Sequence, residues 1–174
     1  MESLSEPDTM VGLPLAATEF RRFMRGWATG VAVVTSALAE RPSGCTVNAF
    51  MSVSMDPPLL LVSLSRNSNT LAVVTASGGF AVNLLGWPQQ QLATQFARAP
   101  QHRFDGVDYR LQDGQPVLAG VMAATVCTLV ETVPVADHVL VIGGPRWCAR
   151  TGRTDPVLLL DSRYQRAASR HDHG

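Results

Sequence analysis

The chain has 174 residues, of which 46% are hydrophobic and 16% charged, and its formal net charge at pH 7 is zero. This length is enough for one domain with a full hydrophobic core, and the balanced charge gives no indication of a nucleic-acid partner. All 14 basic residues are arginine, which excludes chemistry that needs a lysine amine, such as Schiff-base formation or a Walker-type phosphate loop.

The cysteine content and the N-terminal segment indicate a cytoplasmic protein. Cys45, Cys127 and Cys148 are widely spaced, form no CxxC pair and predict reduced thiols. The segment MESLSEPDTMVGLPLAA has two glutamates and no positively charged stretch, so we expect no signal peptide. The longest apolar runs, such as LLLV at 59–62, are too short to span a membrane.

The first helix is predicted after a flexible arm over residues 1–16, which shows no periodicity. The helix begins near Thr18 and ends before Gly30, and its apolar residues recur at helical spacing along one face. That face consists of Phe20, Phe23, Met24 and Trp27.

Short strands dominate the rest of the chain. The predicted strands cover 31–37, 46–55 after a glycine-containing turn, 59–65, 80–85, 123–133, 138–145 and 156–161. One short helix is predicted from Asn67 or Ser68 to Gly78, and another begins at Pro88. Residues 100–115 are predicted as an exposed loop. We therefore expect one mainly β (α+β) domain of barrel type over 17–164, followed by a flexible tail over 165–174.

The strand predicted over 46–55 has an unusual polar face. Alternation places hydroxyl and amide side chains on one side, where a solvent-facing strand more often carries long charged residues. These side chains are Thr46, Asn48, Ser52 and Ser54, and the next strand adds Ser63 and Ser65. Such groups both donate and accept hydrogen bonds, which suits an amide-edged heterocycle or a sugar-like chain. An ordinary half-exposed β-face would show the same pattern.

No nucleophile–base motif or metal-ligand motif stands out. The sequence contains neither GxSxG nor HExxH, and His102 and His138 are the only histidines before the C-terminal HDH at 171–173. Gly143 and Gly144 follow a predicted strand without a GxGxxG pattern, which disfavours a Rossmann-type dinucleotide site. We expect no metal site.

Two further features suggest a binding site. SRNSNT at 65–70 places hydroxyls and free backbone N–H groups at a helix start beside Arg66, an arrangement that suits a phosphate and also simple helix capping. His138 stands at a strand start, where a histidine can be structural, exposed or part of a site.

Five segments of the chain, taken in order, carry a family resemblance. They are FRRFMRGWATGVAVVTS, GCTVNAFMSVSMDPPLLLVSLSRNSNT, FAVNLL, QLATQFA and ADHVLVIGG. Together they resemble the short-chain flavin reductase family, the reductase components of two-component flavin monooxygenases, over residues 18–164. The resemblance implies an FMN-binding split barrel, which is a Greek-key β-barrel with a few short helices. It also implies a homodimer with the flavin near the subunit interface.

The resemblance assigns roles to individual residues of this chain. It implies that the flavin contacts are Thr46, Val47, Asn48, Ala49, Ser63 and Ser65, with Ser68, Thr70 and Phe104 as further candidates. His138 matches the histidine of the family's Gly-Asp-His motif and becomes the catalytic candidate near the nicotinamide, with Tyr164 on the same side. Ala136 departs from the family by replacing that motif's glycine.

The chemistry that the resemblance implies is hydride transfer from the nicotinamide C4 of NADH or NADPH to N5 of FMN or FAD. Reduced flavin would then diffuse to a partner monooxygenase. Two alternatives share the fold: a flavoprotein that keeps FMN tightly bound, and a non-catalytic binding or accessory subunit.

Overall fold

The computed structural model describes residues 15–152 and 155–167. The first part of the described chain carries the helix α1 (Ala17–Arg25), followed by β1 (Thr29–Gly30), β2 (Ala32–Leu38), β3 (Arg41–Val47), β4 (Phe50–Met55) and β5 (Pro58–Ser65). The middle part carries α2 (Asn69–Ser77), β6 (Gly79–Leu84), α3 (Gln90–Phe96), β7 (Tyr109–Gln112) and β8 (Gln115–Leu118). The last part carries β9 (Ala123–Val135), β10 (His138–Arg150), β11 (Val157–Leu160) and β12 (Arg163–Arg166).

Seven strands form the central antiparallel sheet in the order β3-β2-β6-β9-β10-β5-β4. The two edge strands, β3 and β4, are consecutive in sequence and are joined by Asn48 and Ala49 alone. In a flat sheet the two edges would lie about 29 Å apart, because six strand spacings of about 4.8 Å separate them. The three Cα–Cα steps from Val47 to Phe50 span at most about 11 Å. The sheet must therefore curl until its edges meet, which makes it a barrel.

Two hydrophobic clusters fill the inside and cover the outside of this barrel. Phe80, Val62 and Val141, none of them exposed, belong to the first cluster. Phe96, Val126 and Val157, also fully buried, belong to the second cluster, together with residues of α3, β8 and β11. None of the helices in the described part of the chain is long and apolar enough to cross a membrane.

Several boundaries differ from those expected from the sequence. The segment 46–55 is two strands broken at Asn48–Ala49, and the turn before it uses Ala39 and Glu40, both at positive φ, instead of a glycine. The region 100–115 is not one loop, because it contains β7 and begins β8. Turn residues on both sides of these short strands concealed them.

The structure also shows where the elements at the two ends of the predicted domain lie. β12 runs to Arg166, past the expected boundary at residue 164, and its pairing with β11 accounts for this. Residues 1–14 of the expected arm and 168–174 of the expected tail lie outside the described residues. The apolar face of α1 is at the surface of the single chain, with Phe23 75% exposed, and Trp27 just after the helix is 67% exposed.

A buried polar network fastens the β7–β8 hairpin to the outside of the barrel. Asn83, which is fully buried, donates its amide to the Val33 carbonyl at 3.1 Å and to the Thr35 hydroxyl at 3.0 Å. The Leu118 backbone N–H donates to the Asn83 side-chain oxygen at 2.9 Å. One amide therefore satisfies polar groups on both β2 and β8, which would otherwise be buried without partners.

We predict that Asn83→Ala lowers the free energy of unfolding by about 2–4 kcal/mol, because it leaves several buried polar groups unpaired. Urea unfolding at a fixed protein concentration measures the change. The control is Gln91→Ala, on the exposed side of α3, which should stay within about 0.5 kcal/mol of the parent. Equal effects of the two substitutions would contradict the role of the network.

Candidate functional site

A cavity of about 360 Å³ opens where the two edges of the central sheet meet. We call it the first cavity. Its walls come from the β3–β4 junction, β5, the start of α2, the segment after α3 and the first residue of β10. It is lined by Cys45, Thr46, Val47, Asn48, Ala49, Ser63, Leu64, Ser65, Asn67, Ser68, Asn69, Pro100, Arg103 and His138. Its volume lies within the usual range for small-molecule sites, which is about 300–1,000 Å³.

The β3–β4 junction forms one wall and is held in place from both sides. The Thr46 hydroxyl donates to the Ala93 carbonyl of α3 at 2.7 Å, which leaves its lone pairs free to accept. The Ser63 N–H of β5 donates to the Ala49 carbonyl at 3.0 Å. Asn48 lies between these two anchors and is exposed. A fixed backbone therefore presents the Asn48 amide to the cavity.

The second wall combines β5 with the N-terminus of α2. Ser63 and Ser65 alternate with the buried Leu64, so both hydroxyls lie on the cavity side of β5. Ser68 is the N-cap of α2, yet its side chain makes no capping hydrogen bond. The first N–H groups of a helix have no partner within it, so this end offers free donors and a positive dipole end. The wall suits an anionic group.

Arg103 provides the cationic side chain of the cavity, and the sequence reasoning missed it. Its guanidinium donates to the Gly44 carbonyl at 2.7 Å and to the Arg98 carbonyl at 2.8 Å. The Gln95 amide donates to the Arg103 carbonyl at 3.0 Å and to the Asp105 carbonyl at 2.9 Å. These bonds hold the segment in place, so Arg103 lines the same cavity as the first residues of α2.

His138 enters the cavity from the start of β10, directly opposite Ser65 of β5. Its Nδ1 lies 2.9 Å from the Asp137 carboxylate, which orients the ring. This hydrogen bond, with the attraction of the imidazole, lowers the pKa of Asp137 below its usual 3.8. Ala136, which precedes this pair, has a φ of +48°, a conformation that favours glycine. The β9–β10 turn therefore keeps the geometry of a glycine turn without the glycine.

Cys45 lies at the inner end of the same wall. Burial raises the pKa of its thiol, while the Thr70 hydroxyl and the Arg103 charge oppose that rise. The thiol is therefore neutral near pH 7, because its ordinary pKa of 9.0 is already above that value. No carboxylate side chain is among the described residues that line the first cavity.

Most of the residues expected at a flavin site line this cavity together. They are Thr46, Val47, Asn48, Ala49, Ser63, Ser65, Ser68 and His138. Three further candidates lie elsewhere in the single chain. Thr70 is fully buried and its hydroxyl lies 3.2 Å from that of Ser43. Phe104 packs edge-on against Phe96, and Tyr164 joins the outer cluster from β12.

The structure corrects the continuous polar face expected over 46–55. Ser52 and Ser54 belong to β4, beyond the junction, and a register shift separates them in the pairing with β5. Neither residue lines the first cavity. The break at Asn48–Ala49 is the physical reason, because side-chain alternation does not continue across it.

The chain belongs to the flavin reductase like domain family, whose model matches residues 24–168. This match confirms the family expected from the sequence. The few helices and the sheet-rich architecture confirm the mainly β, barrel-type fold expected with it.

Relatives with curated names and solved structures agree with this family. A probable flavin reductase of Rhizobium meliloti (strain 1021) is 44% identical over 119 residues, which is 67% of this chain and 38% of that protein. The FMN reductase (NADH) SmoA of Agrobacterium fabrum (strain C58 / ATCC 33970) is 34% identical over 82% of this chain and 83% of its own. The styrene monooxygenase flavin reductase (SMOB) from Pseudomonas putida S12 superposes with a TM-score of 0.80 at 34% identity, covering 86% and 97% of the two chains. The chain thus spans less than half the length of the first of these relatives.

We predict that His138→Ala raises the pKa of Asp137 back toward 3.8, because the imidazole hydrogen bond is the main cause of its depression. A depressed carboxyl pKa stabilises the fold above the ordinary value, and this contribution is lost as the pH falls through the lowered value. A carboxyl-detected NMR titration measures the shift, with Asp113 as an internal reference. An unchanged pKa for Asp137 would show that the hydrogen bond does not form in solution.

Proposed function

We propose that the protein is an NADH-dependent flavin reductase that transfers hydride to FMN and supplies the reduced flavin to a partner monooxygenase. The observation that carries the proposal is the first cavity itself. It combines hydroxyl and amide groups, free helix N–H groups, one clamped arginine and one oriented histidine.

The residues of the cavity fit FMN at both of its ends. A phosphate suits the start of α2, where the cavity is lined by the first residues of the helix, by Ser68 and by Arg103. The amide-edged ring suits the β3–β4 junction and Ser63, where backbone and side-chain groups both donate and accept. When bound, the flavin supplies the ring that accepts a hydride from the nicotinamide.

His138 is proposed as the catalytic residue on the nicotinamide side. Its Nδ1 is occupied by Asp137, so Nε2 is the nitrogen that remains for the cavity. The hydrogen bond to the Asp137 carboxylate fixes the ring orientation, so the imidazole would stand beside the reacting rings. The imidazole would also orient the nicotinamide, which is a positional contribution to the rate.

The composition of the cavity also supports a flavin that is released after reduction. The lining is mainly neutral, and Arg103 is its single guanidinium among the described lining residues. A ligand that must leave is not held by many buried charges. A solved relative, SMOB, is named as the flavin reductase of a styrene monooxygenase, which supports an oxygenase as the receiver here.

We further propose that the protein is a homodimer. Large apolar side chains are exposed on the described chain, and exposed apolar patches are typical of protein–protein interfaces. They include Phe23 of α1, Trp27 just after that helix, Met51 and Met55 of β4, and Val130 of β9. A second copy that covers them would also border the first cavity, since β4 begins directly after Ala49.

The first prediction of the proposed function is that the purified protein oxidises NADH at a rate that saturates with added FMN. His138→Ala should lower kcat at least tenfold while the Kd for FMN, measured by flavin fluorescence, changes less than threefold. His102→Ala is the matched control, because His102 is exposed and does not line the cavity. FAD and NADPH are assayed in parallel.

Each alternative has its own outcome in this assay. Flavin that co-purifies and resists dialysis would favour a flavoprotein that retains FMN. No oxidation with any flavin and nicotinamide pair would refute the reductase and favour a non-catalytic accessory subunit. A His138→Ala variant with unchanged kcat would remove the catalytic role of His138.

The second prediction concerns the phosphate. Arg103→Gln should weaken FMN binding by about 10- to 150-fold, because a charge-assisted hydrogen bond contributes about 1.5–3 kcal/mol. Riboflavin, which has no phosphate, should bind unchanged. Arg41→Gln, an exposed position at the far end of β3, is the control. Equal losses for FMN and riboflavin would place the guanidinium elsewhere than at the phosphate.

The third prediction concerns assembly. Sedimentation equilibrium should give twice the mass of the chain, and Phe23→Glu should shift the protein toward the monomer by placing a charge in the apolar interface. Glu19→Gln is the control on the same helix. A monomeric parent protein at micromolar concentration would contradict the dimer.

A further inference from the structure

A second cavity, of about 340 Å³, lies on the outside of the barrel. It is formed by the β7–β8 hairpin, the start of β9 and the end of β10. Its lining is mainly apolar, and its floor consists of Val117, Leu118, Val121 and Ala124, all of them buried. The Trp147 indole forms one side wall and the Tyr109 ring lies at the rim.

Two arginines give this apolar cavity a positive rim. The Arg110 guanidinium lies over the Trp147 indole, 5.2 Å from the ring centroid. This cation–π contact holds the guanidinium beside the indole wall of the cavity. Arg150 of β10 also lines the cavity, and Asp108 is the one acidic residue among its described lining residues. The formal charge of the rim is therefore +1, from two guanidiniums and one carboxylate.

The second cavity is separate from the first. Among the described residues that line the two cavities, none is shared. Near the rim of the second cavity, the ring of Phe104 packs edge-on to Phe96 at 5.0 Å and to Tyr109 at 5.4 Å. A ligand of the second cavity therefore need not compete with one that occupies the first.

We propose that the second cavity binds a small planar aromatic carboxylate. The apolar floor and the indole wall favour a flat hydrocarbon ring, which gains free energy by leaving water. The guanidinium groups of Arg110 and Arg150 both carry N–H donors that match a carboxylate, and the two share it. A neutral aromatic compound would use the floor without the rim, and a small anion would use the rim without the floor. This inference does not rest on flavin binding in the first cavity.

The test is isothermal titration calorimetry of the full chain with 2-naphthoate and with 2-naphthylmethanol, which has the same ring system without the charge. We expect 2-naphthoate to bind at least tenfold more tightly than the alcohol, with and without saturating FMN. Arg110→Gln and Arg150→Gln should each weaken 2-naphthoate at least fivefold and leave the alcohol unchanged. Both side chains are at exposed positions, so the variants are expected to fold.

The matched control is Arg146→Gln, because Arg146 lies on the same strand, β10, and does not line the second cavity. Equal affinities for the acid and the alcohol would overturn the proposal, as would equal losses in the Arg146 and Arg150 variants. Displacement of 2-naphthoate by FMN, or its loss in Arg103→Gln, would assign the binding to the first cavity and would also overturn it.

Discussion

The structure depends on one constraint, the two-residue connection between the edge strands of the central sheet. β3 and β4 are the two edge strands of the sheet, and only Asn48 and Ala49 connect them. Because this connection is too short to span a flat sheet, the sheet closes into a barrel. The same connection creates the first cavity, since the ladder is interrupted where the edges meet. Its backbone groups are then available for a ligand, apart from the Ala49 carbonyl that Ser63 uses.

Around this junction, the cavity combines rigid support with a nearly neutral lining. Thr46 is fixed by α3, Arg103 is fixed by Gly44 and Arg98, and His138 is fixed by Asp137. Such fixed groups do not need to be reordered on binding, which lowers the cost of association. A single guanidinium can favour a ligand that carries a phosphate over one that does not, without making release of the ligand slow. This balance suits the proposed release of a reduced flavin.

The sequence predicted the parts of the fold and of the site that are local in the chain. The segments TVNA, SLS and DH each supply side chains that are neighbours in the sequence. Because these segments occur in the same order as in the flavin reductase family, the resemblance was enough to predict that they line one site. Arg103 escaped prediction because its contact with Gly44 joins residues 59 positions apart, which no local pattern encodes. Thr70 was a further candidate through the resemblance, and in the structure its hydroxyl lies 3.2 Å from that of Ser43. Helical spacing was enough to predict the apolar face of α1. Its exposure could not be predicted, because that depends on which other parts of the protein pack against the helix.

The most direct test of this account is an amide chemical-shift titration of the isotope-labelled protein with FMN. We expect the largest shifts at the β3–β4 junction, at Ser63 and Ser65, at the start of α2 and at His138. These elements meet only when the barrel is closed. Shifts centred instead on β7, β8 and the end of β10 would contradict it. They would place the flavin in the second cavity. Closure of the sheet at the β3–β4 junction would then not form the flavin site.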